Sequence, residues 1–334
     1  MRPVEVADTE VERPWRGSGV LRRILQEEQP DLVHVMHPMR FPHVFIEAGA
    51  AAIPAVAHVP DFFYACARIT MVRADGSLCD SPEDGERCVA TCGIASGRER
   101  LAWGRLALAE ARAVICPCRA TIERHRRIGF DVGRWHHIPW GVDYALYPER
   151  LGPPPPGPLR VGFLGTLLEH KGARVVVDAV RARPGLEVEL RLYGESFHER
   201  DYERALRQAT GGDPRIVFAG TYGHADLRAI LAGLDAVVVP SLWHENVPTT
   251  ALNAVAAGVP LLVSDVEGLV ELIDDYRCGL VFRRGDPEDL AALLERLRRD
   301  PMILREIRSG ALSPPGVDEE ARRLEALYED IRPK

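Results

Sequence analysis

The chain has 334 residues, more than a single compact core comfortably organises, and this length predicts two domains. With 46% hydrophobic and 27% charged residues it has the make-up of a folded globular protein, and a net charge of -7 gives nucleic-acid binding no electrostatic support. No apolar run reaches the roughly 20 residues of a membrane span, since the best candidate, between Phe45 and Val59, is broken by Glu47 and Pro54.

In the first half, SGVLRRILQEE (18–28) and GRERLAWGRLALAEA (97–111) predict helices. DLVHVMH (31–37), PAVAHV (54–59), ARAVICP (111–117) and WHHIPW (135–140) predict strands. The stretch LGPPPPGPLR, from Leu151 to Arg160, then reads as a stiff extended connector. The second half alternates regularly. Strands are expected at 160–165, 187–194, 215–220, 235–240 and 260–265, with helices at 172–183, 200–210, 224–234, 248–258 and 286–300. Such alternation means βαβ units and a doubly wound parallel sheet. DEEARRLEALYEDI (318–331) is a final amphipathic helix with Leu324, Leu327 and Ile331 on one face. The expected organisation is an N-terminal domain 1–152 carrying a cysteine-bearing loop 61–96, a linker 153–158, a C-terminal domain 159–312, and a segment 313–334 crossing back to the first domain.

Ligands of doubly wound sheets bind outside the carboxyl ends of the strands. Three polar signals fall there: GTLLEHKG (165–172), YGES (193–196) and PSLWHENVPTTALNAVAAGVP (240–260). In the last, Pro248 suits the first position of a helix, where its missing N–H costs nothing. The N–H groups of Thr249 and its neighbours then lack intrahelical partners, and the helix dipole favours a phosphate there. Glu245 would be repelled by that phosphate and is better used on hydroxyls such as those of a sugar; the plainer alternative is that Glu245 and Asn246 only cap the helix. Lys171 stands out because the chain has 40 arginines and only one other lysine, the terminal Lys334, a bias that points to a GC-rich bacterial genome. An ammonium beside a strand end can neutralise a diphosphate; alternatively it is a solvated surface lysine. Neither G-x-G-x-x-G after a strand nor G-x-x-x-x-G-K-[ST] occurs, which leaves nicotinamide, flavin and P-loop chemistry unsupported.

The number and order of these motifs resemble the retaining family 4 glycosyltransferases of the GT-B fold. VGFLGTLLEHKG, the run from RIVFAG to VEGLVELI, and GLVFRRGDPEDLAALL carry the resemblance over nearly all of 160–300. PDLVHVMH, PDFFYACARITMVRADGSLCDSPEDGERC and HHIPWGVDYALYP carry it in patches before that. The resemblance implies two Rossmann-like domains facing across a cleft, with the first domain reduced, because nothing before Asp31 matches the family's opening strand and glycine-rich loop. It implies a nucleotide-diphosphate sugar as donor, bound by the C-terminal domain, with UDP, GDP and dTDP all open as the carrier. Lys171 would hold the diphosphate, Asn246, Val247, Pro248 and Thr249 would offer backbone N–H groups, Glu245 would contact the sugar, and Tyr222 would lie near the base. Gly165, Thr166 and Glu195 complete the expected donor site. The second glutamate of the family's E-x7-E motif is Asn253 here, and Thr166 stands where an arginine is usual. The family's His-Asp pair aligns with Pro60-Asp61, so Asp61 and the nearby His58 are the expected acceptor-side polar groups.

Seven cysteines are too few for a disulfide scaffold of this size. Four of them, Cys66, Cys79, Cys88 and Cys92, fall in one polar loop with little apolar material to order it. A structural zinc held by four thiolates is one reading; free thiols or a disulfide pair are the others.

Taken together, the reading is a glycosyltransferase that needs no cofactor for its chemistry. Its acceptor would be a hydroxyl on a saccharide, a lipid-linked sugar or a natural product. With no charged-then-apolar leader pattern, it is expected in the cytoplasm, with peripheral association at the inner membrane face open. Two alternatives are a catalytically silent GT-B partner subunit, which the altered motifs favour, and a nucleotide-sugar epimerase, which would need further acid and base residues around the sugar.

Overall fold

Glycine, proline and charged residues cut the apolar runs of this chain into strands of three to six residues separated by helices. The computed structural model describes residues 18–39, 43–130, 132–196 and 200–332. Two compact units emerge: the chain up to Pro139 together with the segment from Asp318, and Trp140–Val317. Residues 1–17, part of the stretch expected to lack a family counterpart, and Lys334 lie outside the described residues.

The first unit runs α1 (Ser18–Glu28), β1 (Val33–Val35), α2 (Val44–Ala50), β2 (Ala55–His58), α3 (Glu86–Cys92), α4 (Gly97–Glu110), β3 (Ala113–Cys116), α5 (Arg119–Arg127) and β4 (Trp135–His137). Among its described residues four strands pair in parallel in the order β1-β2-β3-β4. Every residue of β2 and β3 is buried, as expected of parallel strands covered on both faces. The apolar stretch around Phe45 is a short helix rather than part of a span, and Pro54 separates it from β2. Helices α2, α3 and α5 were not expected. They are seven to nine residues long, and α5 is mostly charged, so none shows a long apolar stripe.

The second unit runs β5 (Leu159–Leu164), α6 (Ala173–Arg181), β6 (Val188–Tyr193), α7 (Arg200–Ala209), β7 (Ile216–Gly220), α8 (Leu227–Ala232), β8 (Ala236–Val239), α9 (Thr249–Ala257), β9 (Leu261–Ser264), α10 (Glu267–Tyr276), β10 (Gly279–Phe282), α11 (Pro287–Arg299) and α12 (Met302–Gly310). Its strands are all parallel, in the order β10-β9-β8-β5-β6-β7. Alternate residues of one strand serve opposite faces. Ala236 and Val238 of β8 join the core that α6, α11 and α12 cover, while Val237 and Val239 join the core that α8, α9 and α10 cover. The small residues Ala251, Ala254, Ala256 and Ala257 of α9 are buried in that second core.

The proline run lies inside the second unit, ahead of β5, and so does the chain from Trp140 to Leu151. Val142 forms a parallel bridge with Gly316, and the Leu151 N–H donates to the Ala257 carbonyl at 2.8 Å. The expected helix at 224–234 is a 3-10 turn, His224–Asp226, followed by the short α8. The last helix, α13 (Val317–Ile331), packs Leu327 with Val56, Ala113 and Ile115 of the first unit, and Leu324 and Ile331 adjoin the same cluster. It is pinned there by Tyr328, whose hydroxyl lies 2.6 Å from His34 Nδ1, and by Arg332, which donates to Asp31 at 2.6 Å.

Candidate active site

A parallel sheet in which β5 and β8 are neighbours reverses its winding between them, and the crevice beyond their carboxyl ends is where ligands of such sheets bind. Lys171 follows β5 and Glu245 follows β8. Lys171 closes a 3-10 turn, Glu169–Lys171, and Gly172 beyond it has a left-handed φ of 74°. Only glycine fits there, since a Cβ would collide with the Pro240 carbonyl oxygen. One turn away, the Leu242 N–H donates to the His170 carbonyl at 2.8 Å. These two contacts staple the loop after β5 to the loop after β8 and so bring the lysine to the glutamate.

The Glu245 side chain is 5% exposed, and three donors converge on its Oε1: Lys171 Nζ at 2.7 Å, Ser241 Oγ at 2.7 Å and Trp243 Nε1 at 2.6 Å. None of the three reaches Oε2. Lys171 Nζ also lies 4.5 Å from the centre of the Trp243 ring, which His170 meets edge-on at 4.9 Å. The cluster is anchored below by Ser264, whose hydroxyl donates to the Ser241 carbonyl at 2.7 Å. Gly268, in the first turn of α10, lets that helix approach the carbonyls of Glu245 and Asn246 too closely for any Cβ. Ser241 and Trp243 were not picked out from the sequence, although they precede Glu245 by four and two positions in the same polar stretch.

Asn246 and the loop leading to α9 are held in place beside this cluster, with Asn246 buried and Val247 packed on the α9 core. Pro248 is not the first helical residue as expected. It is the N-cap, with ψ at 124°, and its carbonyl accepts from Ala251 and Leu252. The helix begins at Thr249, and its first N–H groups have no partner within the helix. Asn253 is committed on both sides: its Nδ2 donates to the Thr249 carbonyl at 2.8 Å, and its Oδ1 accepts from the Tyr147 hydroxyl at 3.0 Å. Burial pushes the Tyr147 phenol up to about 12, so it remains a donor.

Gly165 and Glu195 follow β5 and β6, and the Glu195 carbonyl accepts from the Leu167 N–H at 3.2 Å. Thr166 is exposed. Tyr222, past β7, meets Tyr193 edge-on at 6.2 Å and packs on the α9 core.

In the first unit, Asp61 lies beyond β2, where its Oδ1 accepts from the Phe63 N–H at 2.8 Å and its Oδ2 lies 3.3 Å from His37 Nε2. His37 was missed by sequence reading and sits beyond the adjacent β1. The role expected of His58 is not open to it. That residue is 1% exposed, its ring stacks on His34 at 5.5 Å, and burial lowers its pKa to about 4.

The expected zinc site is not formed. Among the described residues no group of three or more His, Cys, Asp or Glu is disposed to hold a metal ion, and all seven cysteines are free. Burial pushes the Cys66 thiol up to about 11, against hydrogen bonds from the Met71 and Arg68 N–H groups, and raises Cys79 and Cys88 as well. The loop is ordered by apolar and aromatic packing instead. Met71 and Tyr64 are fully buried, Tyr64 stacks on Trp103 of α4 at 5.8 Å, and the Arg100 guanidinium lies 4.0 Å from the Phe63 ring centre. The Cys79 N–H donates to the Met71 carbonyl at 2.8 Å beside an antiparallel bridge between Val72 and Leu78.

Two family profiles match the chain: one described as Glycosyltransferase Family 4 over residues 2–146 and one described as Glycosyl transferases group 1 over residues 158–300. The first takes in residues before Asp31, where no counterpart was expected. The chain is 31% identical over 165 residues to a 2-deoxystreptamine glucosyltransferase of Streptomyces kanamyceticus, covering 48% of this chain and 42% of that protein. It is 28% identical over 197 residues to a D-inositol 3-phosphate glycosyltransferase of an Arthrobacter species, covering 54% and 45%. The chain thus spans less than half the length of these curated relatives. Among solved structures, Anabaena HepE in complex with UDP matches with a TM-score of 0.75 at 21% identity, covering 93% of this chain and 82% of that one. HepE with UDP and glucose matches at 0.73, covering 97% and 86%. Two Rossmann-like α/β units of the GT-B kind are therefore the fold of this chain. Among the described residues no helix is long and apolar enough to cross a membrane.

Proposed function

Because this chain belongs to the family 4 glycosyltransferases, we propose that it takes a sugar from a nucleotide-diphosphate donor and transfers it, with retention of anomeric configuration, to an acceptor hydroxyl. The observation that carries this reading is the pairing of Lys171 with Glu245 at the switch point between β5 and β8. A lone ammonium there, with the N-terminus of α9 close by in sequence, suits a diphosphate; a carboxylate with one oxygen left over suits sugar hydroxyls.

As the bond from the anomeric carbon to the diphosphate breaks, its electron pair passes to the phosphate oxygen. Lys171 and the α9 N-terminus offset the charge that develops there. The acceptor oxygen bonds to the anomeric carbon from the same face, and its proton leaves with the diphosphate. Glu245 fixes the sugar by its hydroxyls, so its contribution is positional rather than nucleophilic. On the first unit, Asp61 and His37 are the polar pair best suited to an acceptor hydroxyl. The HepE structures, which hold UDP, support a uridine nucleotide as carrier. Relatives named for 2-deoxystreptamine and D-inositol 3-phosphate support a polyhydroxylated acceptor.

The test is binding followed by turnover. UDP at millimolar concentration should raise the melting temperature. UDP-glucose with a cyclitol or sugar acceptor should then give a product whose anomeric configuration, read by NMR, matches the donor's. No thermal shift with UDP, GDP or dTDP would refute the donor site. A shift without transfer or hydrolysis of any sugar donor would favour the catalytically silent subunit, for which the committed amide of Asn253 and the exposed Thr166 speak. Interconversion of the donor sugar without transfer would indicate an epimerase.

A further inference from the structure

The cation proposed to receive the diphosphate is paired at 2.7 Å with an anion of the protein itself. We propose that Glu245 is an internal counter-anion which the donor diphosphate must displace from Lys171, and that Ser241 and Trp243 are positioning residues which keep the carboxylate in place once the ammonium has left. This rests on the reading of the second unit as the donor site.

The asymmetry of the cluster carries the argument. Lys171 is the more exposed partner, its side chain 28% accessible against 5% for Glu245, and an ammonium on a flexible stem moves more readily than a buried carboxylate. A buried carboxylate stripped of its cation is costly unless other donors remain. Two do, both on the same oxygen: Ser241 Oγ and Trp243 Nε1. Each is itself braced. The Ser241 backbone is held by the Ser264 hydroxyl, and the indole is braced edge-on by His170. The indole face also lies beneath Lys171 Nζ, so the ammonium can leave Glu245 without losing all of its contacts. Because all three donors share Oε1, the departure of Lys171 leaves the orientation of Oε2 toward sugar hydroxyls unchanged. The arrangement makes bare diphosphate a weak ligand, since it must compete with the carboxylate for Lys171 and then lie near it. A donor carrying its sugar recovers that loss through Glu245. The same groups therefore discriminate a sugar nucleotide from the nucleotide diphosphate released as product.

The sign of the effect distinguishes this from a merely structural role. Glu245→Gln removes the competing charge while keeping the side-chain shape, and it should tighten binding of UDP and of inorganic pyrophosphate, by roughly five- to tenfold in calorimetric titration. Trp243→Phe keeps the ring beneath the ammonium but deletes one donor to Oε1. Glu245 then relies more on Lys171, and UDP binding should weaken by roughly three- to fivefold. In the double variant the Trp243 effect should vanish, because no carboxylate is left to hold. If Glu245→Gln unfolds, Glu245→Ala serves the same test with the same expected sign. Weakened or unchanged UDP affinity in a folded Glu245 variant overturns the inference while leaving the donor site standing. Additive effects in the double variant overturn the role given to Trp243. If the wild-type protein binds neither UDP nor pyrophosphate at millimolar concentration, the donor-site reading itself fails and this inference falls with it.

Discussion

Lys171 and Glu245 stand 74 residues apart in the chain and 2.7 Å apart in the fold, each delivered by the loop after one of two adjacent parallel strands. Replacing Lys171 with alanine should weaken UDP affinity by about tenfold or more, the scale of one charge-assisted contact to phosphate. Lys171→Arg should recover only part of this, because the rigid guanidinium fork carries its donors in a different geometry from a compact ammonium on a flexible stem. Lys334→Ala, at the other lysine, should leave UDP affinity unchanged. Equal losses from the two alanine variants would mean that Lys171 contributes only to net charge.

The staple between the two loops depends on glycine at 172. Gly172→Ala would place a Cβ against the Pro240 carbonyl at a φ of 74° that alanine resists. The left-handed backbone alone costs about 1 kcal/mol, and displacement of the loop after β8 adds to it, so about 3 kcal/mol of unit stability should be lost in urea titration. UDP affinity should fall as well, because Lys171 and Glu245 lose their register. By contrast Gly185→Ala, where a Cβ meets nothing within 4 Å, should change neither. A Gly172→Ala protein with wild-type stability would show that the loops are not locked together there.

Asn253 is held by two hydrogen bonds, and Tyr147→Phe removes one of them while preserving the packing of the ring. Loss of that bond should cost about 1 kcal/mol of stability. It should also free the Asn253 carbonyl, so a ligand hydroxyl contacting that oxygen would bind more tightly in the variant. Unchanged or weaker UDP affinity in Tyr147→Phe would show that Asn253 does not touch the nucleotide.

The strands of the second unit were legible as short continuous apolar runs and its long helices by a cleanly interrupted period of 3.6; the five strands expected there appear within two residues of their bounds. Lys171, Glu245 and the α9 entrance were legible because a polar residue between a buried strand and a buried helix has no packing reason to be there. Ser241 and Trp243 were not, since a serine and an aromatic next to a core strand look like packing until their hydrogen atoms are seen to aim at one oxygen. His37 and Tyr147 were hidden for another reason: their partners, Asp61 and Asn253, are 24 and 106 residues away, and no local pattern records such a contact. The cysteine loop misled in the opposite direction. Counted locally it is polar, but the aromatic residues that order it come partly from α4, outside the loop.

The thiols of that loop should differ in reactivity. Cys66 is buried and its pKa is pushed up to about 11, so at pH 8 very little of it is thiolate. Cys92 is only partly covered. Limited alkylation of the native protein, read by peptide mass spectrometry, should label Cys92 first and Cys66 far more slowly, with Cys79 and Cys88 held back by the same burial effect. Uniform labelling of the four would mean that the loop opens faster than it reacts.

Acid should destabilise the first unit before the second. His58 and His125 are buried there, and burial lowers both to about 4, against roughly 6.5 for a free histidine. Between those values the unfolded chain takes up protons that the folded unit refuses, so stability rises with pH through this window and is lost as pH falls from about 6.5 toward 4. Each histidine should cost about 2 kcal/mol on going from pH 7 to pH 5. His125 sits among aromatic rings, stacked on Phe62 at 5.4 Å and edge-on to Phe130 at 6.1 Å, so phenylalanine fits its place. His125→Phe gives up one hydrogen bond to the Thr121 carbonyl and should be slightly less stable at pH 7. It should nevertheless lose less stability than wild type on acidification, with the slope of unfolding free energy against pH reduced by close to one proton. Urea titrations across this range measure that slope, and an unchanged slope in the variant would show that His125 is not the group that takes up the proton.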